Sequence, residues 1–149
     1  MNIYYDTGLL LKLYTLEPQS PKVREFIRSH NQKIPLLSIH QSECASALHL
    51  KAFRKECTRA QANRALSDIA EDQRMGFLTL LSANWDKIWS KTIELSQAYT
   101  ATIGCRTLDT LHVAAALEFG FREFASSDTR QKTLAEQTGM IVHDPTSTN

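Results

Sequence analysis

Short apolar runs alternate with longer segments of helical periodicity along the whole chain. The short runs predict β-strands at residues 2–5, 34–38, 77–81, 123–127 and 140–143. Segments with apolar residues at i, i+3 and i+4 predict α-helices at residues 7–15, 20–30, 39–57, 58–74, 84–101, 107–119 and 129–138. Strands that alternate with helices are typical of parallel sheets covered by helices. The pattern therefore predicts the α/β class, as a three-layer α/β/α sandwich with a central, mainly parallel sheet.

Length, composition and charge are those of one ordinary globular domain. The 149 residues are 42% hydrophobic and 22% charged, which suits a single core. We predict one domain over residues 1–143 and a polar, frayed tail over residues 144–149. The formal net charge is +1, so any contact with nucleic acid depends on local patches and not on the charge of the whole molecule.

Cysteine content and hydropathy indicate the cellular compartment that we expect for this protein. The three cysteines, Cys44, Cys57 and Cys105, form no Cys-x-x-Cys pair and are odd in number, which argues against a disulfide framework. The N-terminal segment has no basic region and includes Asp6, so it does not resemble a signal peptide. No run approaches the roughly 20 apolar residues of a membrane span. We therefore expect a cytoplasmic protein that makes no contact with membranes.

Four acidic residues lie at similar structural positions although they are far apart in sequence. Asp6 and Asp128 directly follow predicted strands, while Glu43 and Asp109 lie near the starts of apolar helical segments. If the strands are parallel, these positions meet at the carboxyl edge of the sheet, where open α/β folds build their sites. Four carboxylates there would repel one another unless a cation neutralised them. The pattern thus predicts a site for a hard metal ion, which on carboxylates most often serves phosphate chemistry.

Each acid also has a structural interpretation. Asp6, Asp109 and Asp128 are all placed to cap a helix N-terminus, a common duty of Asp. Glu43 lies among small and apolar neighbours, so it either points to solvent or has a partner, because an unpaired buried carboxylate is costly. Taken singly, each acid favours the structural role. Their convergence on one edge favours a shared site.

Other residues with possible chemistry favour structural roles. His112 lies one turn after Asp109, a spacing that metal ligands use, but a hydrogen-bonded core histidine is the favoured interpretation. Trp85 and Trp89 could stack on bases, although their helical spacing favours the core. A solvated helix face is favoured over RNA or partner contact for the four basic residues Lys51, Arg54, Lys55 and Arg59.

Four segments resemble the motifs of PIN-domain proteins, especially the VapC-like toxins of bacterial toxin–antitoxin pairs. They are Asp6-Thr7 with residues 10–14, residues 38–48, residues 106–117 and residues 127–140. The segments follow the order of the family and span essentially the whole chain, and the third and fourth are the most specific. The chain departs from the family at Gly8, where relatives usually carry Ser or another small residue, and at Ser127, where many carry an aromatic residue. Neither departure removes a carboxylate.

The resemblance implies a metal-dependent endoribonuclease that acts as the toxin of a toxin–antitoxin pair. The implied catalytic and metal-binding residues are Asp6, Glu43, Asp109 and Asp128. They would hold Mg²⁺ or Mn²⁺, some of them through water. Thr7 and Thr107 would orient a carboxylate or a water, and Arg130 would pair with an RNA phosphate. No other cofactor is implied.

The resemblance also implies an RNA substrate, a cognate antitoxin and a homodimer. We expect the helical hairpin over residues 39–74 to contribute to these contacts, because the sheet alone would leave some of its apolar residues uncovered. These are Leu48, Phe53, Leu66 and Ile69. Two other functions stay open, a non-catalytic RNA-binding or structural module and an acidic-pocket phosphatase or phosphoacceptor domain. The complete set of acids argues against the first, and the absence of a lysine after a late strand argues against the second.

Overall fold

The structure is a computed structural model that describes residues 2–30 and 33–147. In chain order these residues form β1 (Ile3–Tyr5), α1 (Thr7–Leu11), α2 (Ser20–His30), β2 (Ile34–Leu36), α3 (Ser38–Phe53), α4 (Arg59–Arg74), β3 (Leu78–Leu80), α5 (Trp85–Ile103), α6 (Thr107–Glu118), β4 (Glu123–Ala125), α7 (Thr129–Gln137) and β5 (Ile141–His143). Every strand pair is parallel, which confirms the predicted α/β class. The strands form two sheets, β1-β4-β5 and β2-β3.

The chain divides into two compact units, each with one of these sheets. The first unit comprises Met1–Leu9 and Ala83–Asn149, and the second comprises Leu10–Ser82. The prediction of a single domain over residues 1–143 stays a prediction. None of the helices within the described residues has the length and apolar character needed to cross a membrane.

The first unit is built around β1, β4 and α6. The β1 strand is entirely buried, as are Phe124 and Ala125 of β4. The α6 helix is apolar on nearly every side and is buried continuously from Thr110 to Ala116, as expected for a helix in the core. It packs against α5 and α7. Gly104 ends α5 with a φ of 80°, a left-handed conformation in which glycine avoids the strain of a Cβ.

The second unit pairs β2 with β3 and packs α3 against α4 as a helical hairpin. Thr58 begins α4 as its N-cap, because its hydroxyl accepts the N–H of Gln61 at 3.1 Å while the Gln61 side chain accepts the N–H of Thr58 at 2.8 Å. This reciprocal pair satisfies two donors at the helix end. Leu48 of α3 and Ile69 of α4 are buried in the core of this unit.

Two helices end earlier than the sequence pattern predicts. The first ends at Leu11 and not at residue 15, because the hydroxyl of Thr15 donates to the Leu11 carbonyl at 3.0 Å and closes a turn there. The α3 helix ends at Phe53 and not at residue 57, since Lys55 takes a φ of 61° and the Glu56 N–H returns to the Lys51 carbonyl at 2.9 Å. In both cases contacts at the helix end override the apolar periodicity.

The expected burial of both α5 tryptophans is wrong for Trp89. Its side chain is 44% exposed, and Trp85 is half-buried. The buried face of α5 instead carries Ile88, Thr92 and Leu95. Trp89 lies about 100° further round the helix than Ile88, which turns it away from that face.

The described part of the polar tail is held against α7. Asp144 accepts a hydrogen bond from the Lys132 ammonium, and it also accepts the N–H of Thr146 at 3.0 Å and the Thr146 hydroxyl at 2.6 Å. The predicted fraying therefore does not include these residues. Residues 148 and 149 lie outside the described part of the chain.

Candidate active site

Asp6 directly follows β1 at the carboxyl edge of the three-stranded sheet. Tyr5 pairs with Ala125, and the Asp6 N–H continues this ladder by donating to the Ala125 carbonyl at 3.0 Å. The register brings Asp6 beside Ser126, whose hydroxyl lies 2.6 Å from Oδ2 of Asp6. Oδ1 accepts the N–H of Leu9 at 2.6 Å, so Asp6 also caps α1. Asp6 is only 6% exposed, and both of its carboxylate oxygens are held by donors.

Asp128 lies just beyond β4 at the same edge. Its Oδ1 accepts the N–H of Gln131 at 2.9 Å, which makes it the N-cap of α7. Its own N–H donates to the hydroxyl oxygen of Ser126 at 3.0 Å. Within the described residues no hydrogen bond reaches its other carboxylate oxygen, and the residue is exposed. Capping thus uses one oxygen and leaves the second available to a ligand.

Asp109 lies in the first turn of α6 and joins the same network through its backbone. Its Oδ2 accepts the N–H of Arg106 at 3.3 Å, the return bond of a capping box. The side-chain amide of Gln131 donates to the Asp109 carbonyl at 3.3 Å, which ties the start of α7 to the start of α6. All three predicted acids of the first unit therefore act as helix caps and are linked by shared hydrogen-bond partners.

Ser126 is the centre of this network. Its hydroxyl oxygen lies 2.6 Å from Asp6 Oδ2, 2.9 Å from Gln131 Oε1 and 3.0 Å from the Asp128 N–H that donates to it. A hydroxyl carries one proton, so it serves one of the two acceptors at a time. The carboxylate is both the nearer and the charged acceptor, which makes it the stronger one. Ser126 is fully buried and so couples the position of Asp6 to the start of α7.

Neither Ser126 nor Gln131 was predicted from the sequence as a site residue. The signal for Ser126 was present, since a serine two residues before an aspartate favours the local turn in which its hydroxyl accepts the later N–H. That bond to Asp128 is observed. Gln131 gave no comparable signal, because its contact with Asp109 depends on how α7 packs against α6.

Cys105 reports on the charges around it. The pKa of its thiol is raised to about 11, mainly by burial and in smaller part by the charges of Asp109 and Asp128, which the charge of Arg130 opposes. The thiol donates to the Arg130 carbonyl at 3.3 Å. Two of the acids and one arginine therefore act on the same buried sulfur, which places them in one electrostatic neighbourhood.

Thr7 is bonded to the core of the first unit and not only to the site. Its hydroxyl lies 3.2 Å from Nε2 of His112, whose Nδ1 lies 2.8 Å from the Tyr4 hydroxyl. All three residues are buried. The prediction that His112 is a hydrogen-bonded core histidine is confirmed. The predicted orienting roles of Thr7 and Thr107 stay predictions, and Thr107 is exposed at the first position of α6.

Glu43 belongs to the second unit, where it is half-buried in α3. Its neighbour Cys44 is buried, and burial together with the Glu43 charge raises the pKa of that thiol to about 12. The convergence of Glu43 with Asp6, Asp109 and Asp128 stays a prediction.

The donor set restricts how a metal ion could be held. Among the described residues, no three or more His, Cys, Asp and Glu side chains lie close enough together to form a metal-binding group. Carboxylate oxygens nevertheless suit Mg²⁺, which takes only one or two of them directly and keeps several waters. An ion at this edge would therefore have at most two direct ligands of these types among the described residues, and water would fill its other positions.

These features define the class of protein. It is a parallel α/β protein whose carboxyl edge carries linked carboxylates, each at the positive end of a helix. Lys132, one turn after Asp128, pairs with Asp144, so it is not placed to assist a phosphoacceptor aspartate. The arrangement suits phosphate chemistry assisted by a divalent cation better than covalent phosphoacceptor chemistry.

Comparisons with known proteins narrow the class. No protein-family model matches the chain. Ribonuclease VapC46 of Mycobacterium tuberculosis (strain ATCC 25618 / H37Rv) is 27% identical over 146 residues, which cover 96% of this chain and 97% of that protein. The resemblance to VapC-like PIN-domain proteins that the motifs indicated is confirmed.

Two solved structures share the fold. FitAcB from Neisseria gonorrhoeae has a TM-score of 0.64 at 16% identity, covering 96% of this chain and 97% of its own. VapBC2 from Rickettsia felis, bound to a DNA fragment from their promoter, has a TM-score of 0.64 at 15% identity, covering 97% and 98%. At these identities the likeness bears on the fold, and it extends over nearly the whole length of each chain.

Proposed function

We propose that this protein is an endoribonuclease that hydrolyses RNA phosphodiester bonds and acts as the toxin of a toxin–antitoxin pair. The observation that carries the proposal is the linkage of Asp6, Asp109 and Asp128 through Ser126 and Gln131 at one sheet edge. The similarity to Ribonuclease VapC46 along nearly the whole chain supports RNA as the substrate.

We propose further that the activity depends on Mg²⁺ or Mn²⁺. Asp6, Asp109 and Asp128 would hold the ion, with Glu43 as the fourth carboxylate. Such an ion stabilises the charge that develops on the scissile phosphate and makes water a stronger nucleophile near neutral pH. The helix N-termini beside the three carboxylates favour their negative charge before any ion binds. Ser126 bonds to the Asp6 carboxylate and the Asp128 N–H, while Gln131 bonds to the Asp128 carboxylate and the Asp109 backbone carbonyl.

Cleavage of purified RNA tests both parts of the proposal. The protein, free of any partner, should cut RNA when Mg²⁺ or Mn²⁺ is added, and EDTA should stop the reaction. Asp109→Asn protein, prepared in the same way, controls for a contaminating nuclease. Undiminished cleavage in EDTA would refute the metal dependence, and equal cleavage by the variant would refute the site. Glu43→Gln tests the fourth carboxylate, and loss of cleavage without loss of melting temperature would support its inclusion.

The toxin role has a cellular test. Expression of the wild-type chain alone should arrest bacterial growth, while Asp109→Asn should be tolerated. Co-expression of a small protein encoded beside the gene should restore growth if that protein is the antitoxin. A wild-type chain that leaves growth and RNA intact would refute the toxin role, although RNA cleavage by the purified protein would still stand.

The hairpin of the second unit is the surface that we propose for dimer and antitoxin contact. Phe53, at the end of α3, is 83% exposed, so a partner that covered it would remove a large apolar side chain from water. Lys51 pairs with Glu17 and Glu56, so the basic patch expected here is partly neutralised. Phe53→Asp should shift the protein from dimer to monomer in light scattering. A wild-type chain that is monomeric at high concentration would contradict the homodimer.

A further inference from the structure

We propose that a cavity beside Asp128 binds one unpaired nucleotide of the RNA, with its phosphate on Arg130 and its base against Tyr99. The inference rests on the proposed ribonuclease function and specifies the substrate as a single-stranded segment. The cavity of about 550 Å³ lies between the last turns of α5 and the length of α7, and Thr129 and Arg130 line it at the end that follows Asp128. Pockets of about 300–1,000 Å³ are typical of small-molecule sites, so one nucleotide fits.

Arg130 lies near the end of α5 and is not neutralised by a carboxylate. Within the described residues, no carboxylate lies at ion-pair distance from its guanidinium, which is exposed. Its Nε lies 3.9 Å from the position that a Cβ would take at Gly104, the residue that ends α5. The negative end of α5 favours a cation there. The planar set of donors of the guanidinium can therefore bind a phosphate at this end of the cavity.

Tyr99 supplies an aromatic wall to the same cavity. The ring is half-buried on α5, and within the described residues its hydroxyl makes no hydrogen bond. The hydroxyls of Thr102 and Thr129 also line the cavity and can bond to sugar or base. Stacking on an aromatic ring tolerates every base, because each base has a π-face.

The position of the cavity links it to the acids. Arg130 is two residues beyond Asp128, and its carbonyl bonds the Cys105 thiol that also experiences the charges of Asp109 and Asp128. A phosphate on Arg130 would thus belong to the cleaved bond or to its neighbour. In a duplex the faces of each base are covered by stacking, so the Tyr99 ring can receive only an unpaired base.

Binding of a short fluorescent single-stranded RNA in EDTA tests the inference without cleavage. Anisotropy would be measured for the wild type, Arg130→Ala and Tyr99→Ala, with melting temperatures as the check on folding. Arg122→Ala is the matched charge control, because this exposed arginine precedes β4 whereas Arg130 follows it. Trp89→Ala is the matched aromatic control, since this exposed residue of α5 lies about 15 Å from Tyr99 along the helix.

We expect Arg130→Ala and Tyr99→Ala each to weaken binding roughly tenfold, and the two controls to change it less than about twofold. Arg130→Ala should also lower the slope of log affinity against log salt by about 0.7, the value for one lost phosphate contact on a single strand. Tyr99→Ala should leave the slope unchanged. An abasic nucleotide that weakens wild-type binding but not Tyr99→Ala binding would identify the stacked base.

The outcomes separate this inference from the proposed function. Equal weakening by Arg130→Ala and Arg122→Ala, or by Tyr99→Ala and Trp89→Ala, would refute the subsite while cleavage by the wild type could still support the ribonuclease. Tighter wild-type binding to a blunt duplex than to the single strand would also refute it. Selective binding loss in the two variants of a protein that cleaves no RNA would support the subsite and refute the nuclease.

Discussion

The two parallel sheets differ at their carboxyl edges. The three-stranded sheet continues beyond β1, β4 and β5 with Asp6, Ser126 and Asp144, and each of these side chains is hydrogen-bonded. The two-stranded sheet continues beyond β2 and β3 with Leu37 and Leu81. Each of β1, β2, β3 and β4 leads into a helix, so for these four strands the difference does not arise from the type of connection.

The helix starts show which part of this difference needs a functional explanation. The α3 helix begins without a carboxylate, since Nδ1 of His40 accepts the Leu37 N–H at 3.0 Å. Thr58 and Asn84 cap α4 and α5 with neutral oxygens. This chain therefore starts helices well without a carboxylate. The capping oxygens of Asp6 and Asp128 have a structural role that a neutral side chain could also fill, and the proposed site would give their charge a further role.

Replacing the site aspartates with asparagine removes their charge but keeps their capping oxygens, and it should have the largest effect on RNA cleavage. Asp109→Asn and Asp128→Asn should each lower RNA cleavage on the order of 100-fold or more, because the site loses a charge that complements a cation. The melting temperature should stay unchanged, since Asn caps a helix about as well as Asp. In Asp6→Asn the new amide can donate to Ser126, which frees the hydroxyl for Gln131. Initial rates and thermal melts measure both quantities.

The second sheet supplies the control for this prediction. Ser82 lies two residues beyond the end of β3, a strand that no acid directly follows, and Ser82→Ala should leave the cleavage rate unchanged. Retained cleavage in Asp109→Asn or Asp128→Asn, together with a lower melting temperature, would show that these acids are caps alone.

Removing the centre of the polar edge should have the largest effect on stability. Ser126→Ala takes a donor from Asp6 and an acceptor from the Asp128 N–H. Leaving buried polar groups unsatisfied costs about 1–3 kcal/mol, so we expect a loss of about 2 kcal/mol in urea unfolding. Thr92→Val is the matched control, because its buried hydroxyl donates to the Ile88 carbonyl, which already accepts a helical bond. Equal losses in both variants would show that the edge network is not special.

The site could be predicted as far as it depends on strand ends. Asp6 and Asp128 follow apolar runs, and parallel strands bring such positions together. The bond between Ser126 and Asp6 joins residues far apart in sequence and depends on the pairing of Tyr5 with Ala125. Register is a tertiary property, so no local pattern indicated that Ser126 would be the hub.

The fold likewise has features that single residues determine and features that depend on tertiary packing. Gly104 ends α5 with a φ of 80°, a left-handed conformation that glycine readily takes, so this helix end follows from a single residue. The early end of α1 depends on the hydroxyl of Thr15 reaching the Leu11 carbonyl. The exposure of Trp89 depends on which face of α5 meets α6. Backbone chemistry could be predicted from single residues, whereas packing could not.

Removing a helix cap at the proposed site and removing one away from it should cost equal stability but differ in their effect on cleavage. Asp128→Ala and Asn84→Ala each remove a side-chain oxygen that accepts an N–H at the start of a helix, at 2.9 Å and 3.2 Å. Each should cost about 1 kcal/mol in unfolding free energy. Only Asp128→Ala should also lose RNA cleavage. If Asn84→Ala loses cleavage to the same extent, activity follows stability and the distinction between the two caps fails.

Asp144 tests whether every acid at this sheet edge belongs to the site. It lies at the same edge as Asp6 and Asp128, but it pairs with Lys132. Burial alone would raise the pKa of its carboxyl group, but bonds from Lys132 and Thr146 outweigh burial and hold the pKa below its ordinary value of 3.8. A lowered pKa in the folded state gives stability that is present above the unfolded pKa and lost as the pH falls through the folded one.

Asp144→Asn should therefore lower stability by at most about 1 kcal/mol at pH 7, since partly exposed pairs contribute little. Urea unfolding of both proteins should show this difference shrinking as the pH falls below 3.8, the ordinary pKa of the carboxyl group. RNA cleavage at pH 7 should be unchanged, in contrast to Asp128→Asn. A stability difference that persists unchanged into acid would contradict the Lys132 pairing, and a loss of cleavage would extend the site to a third strand end.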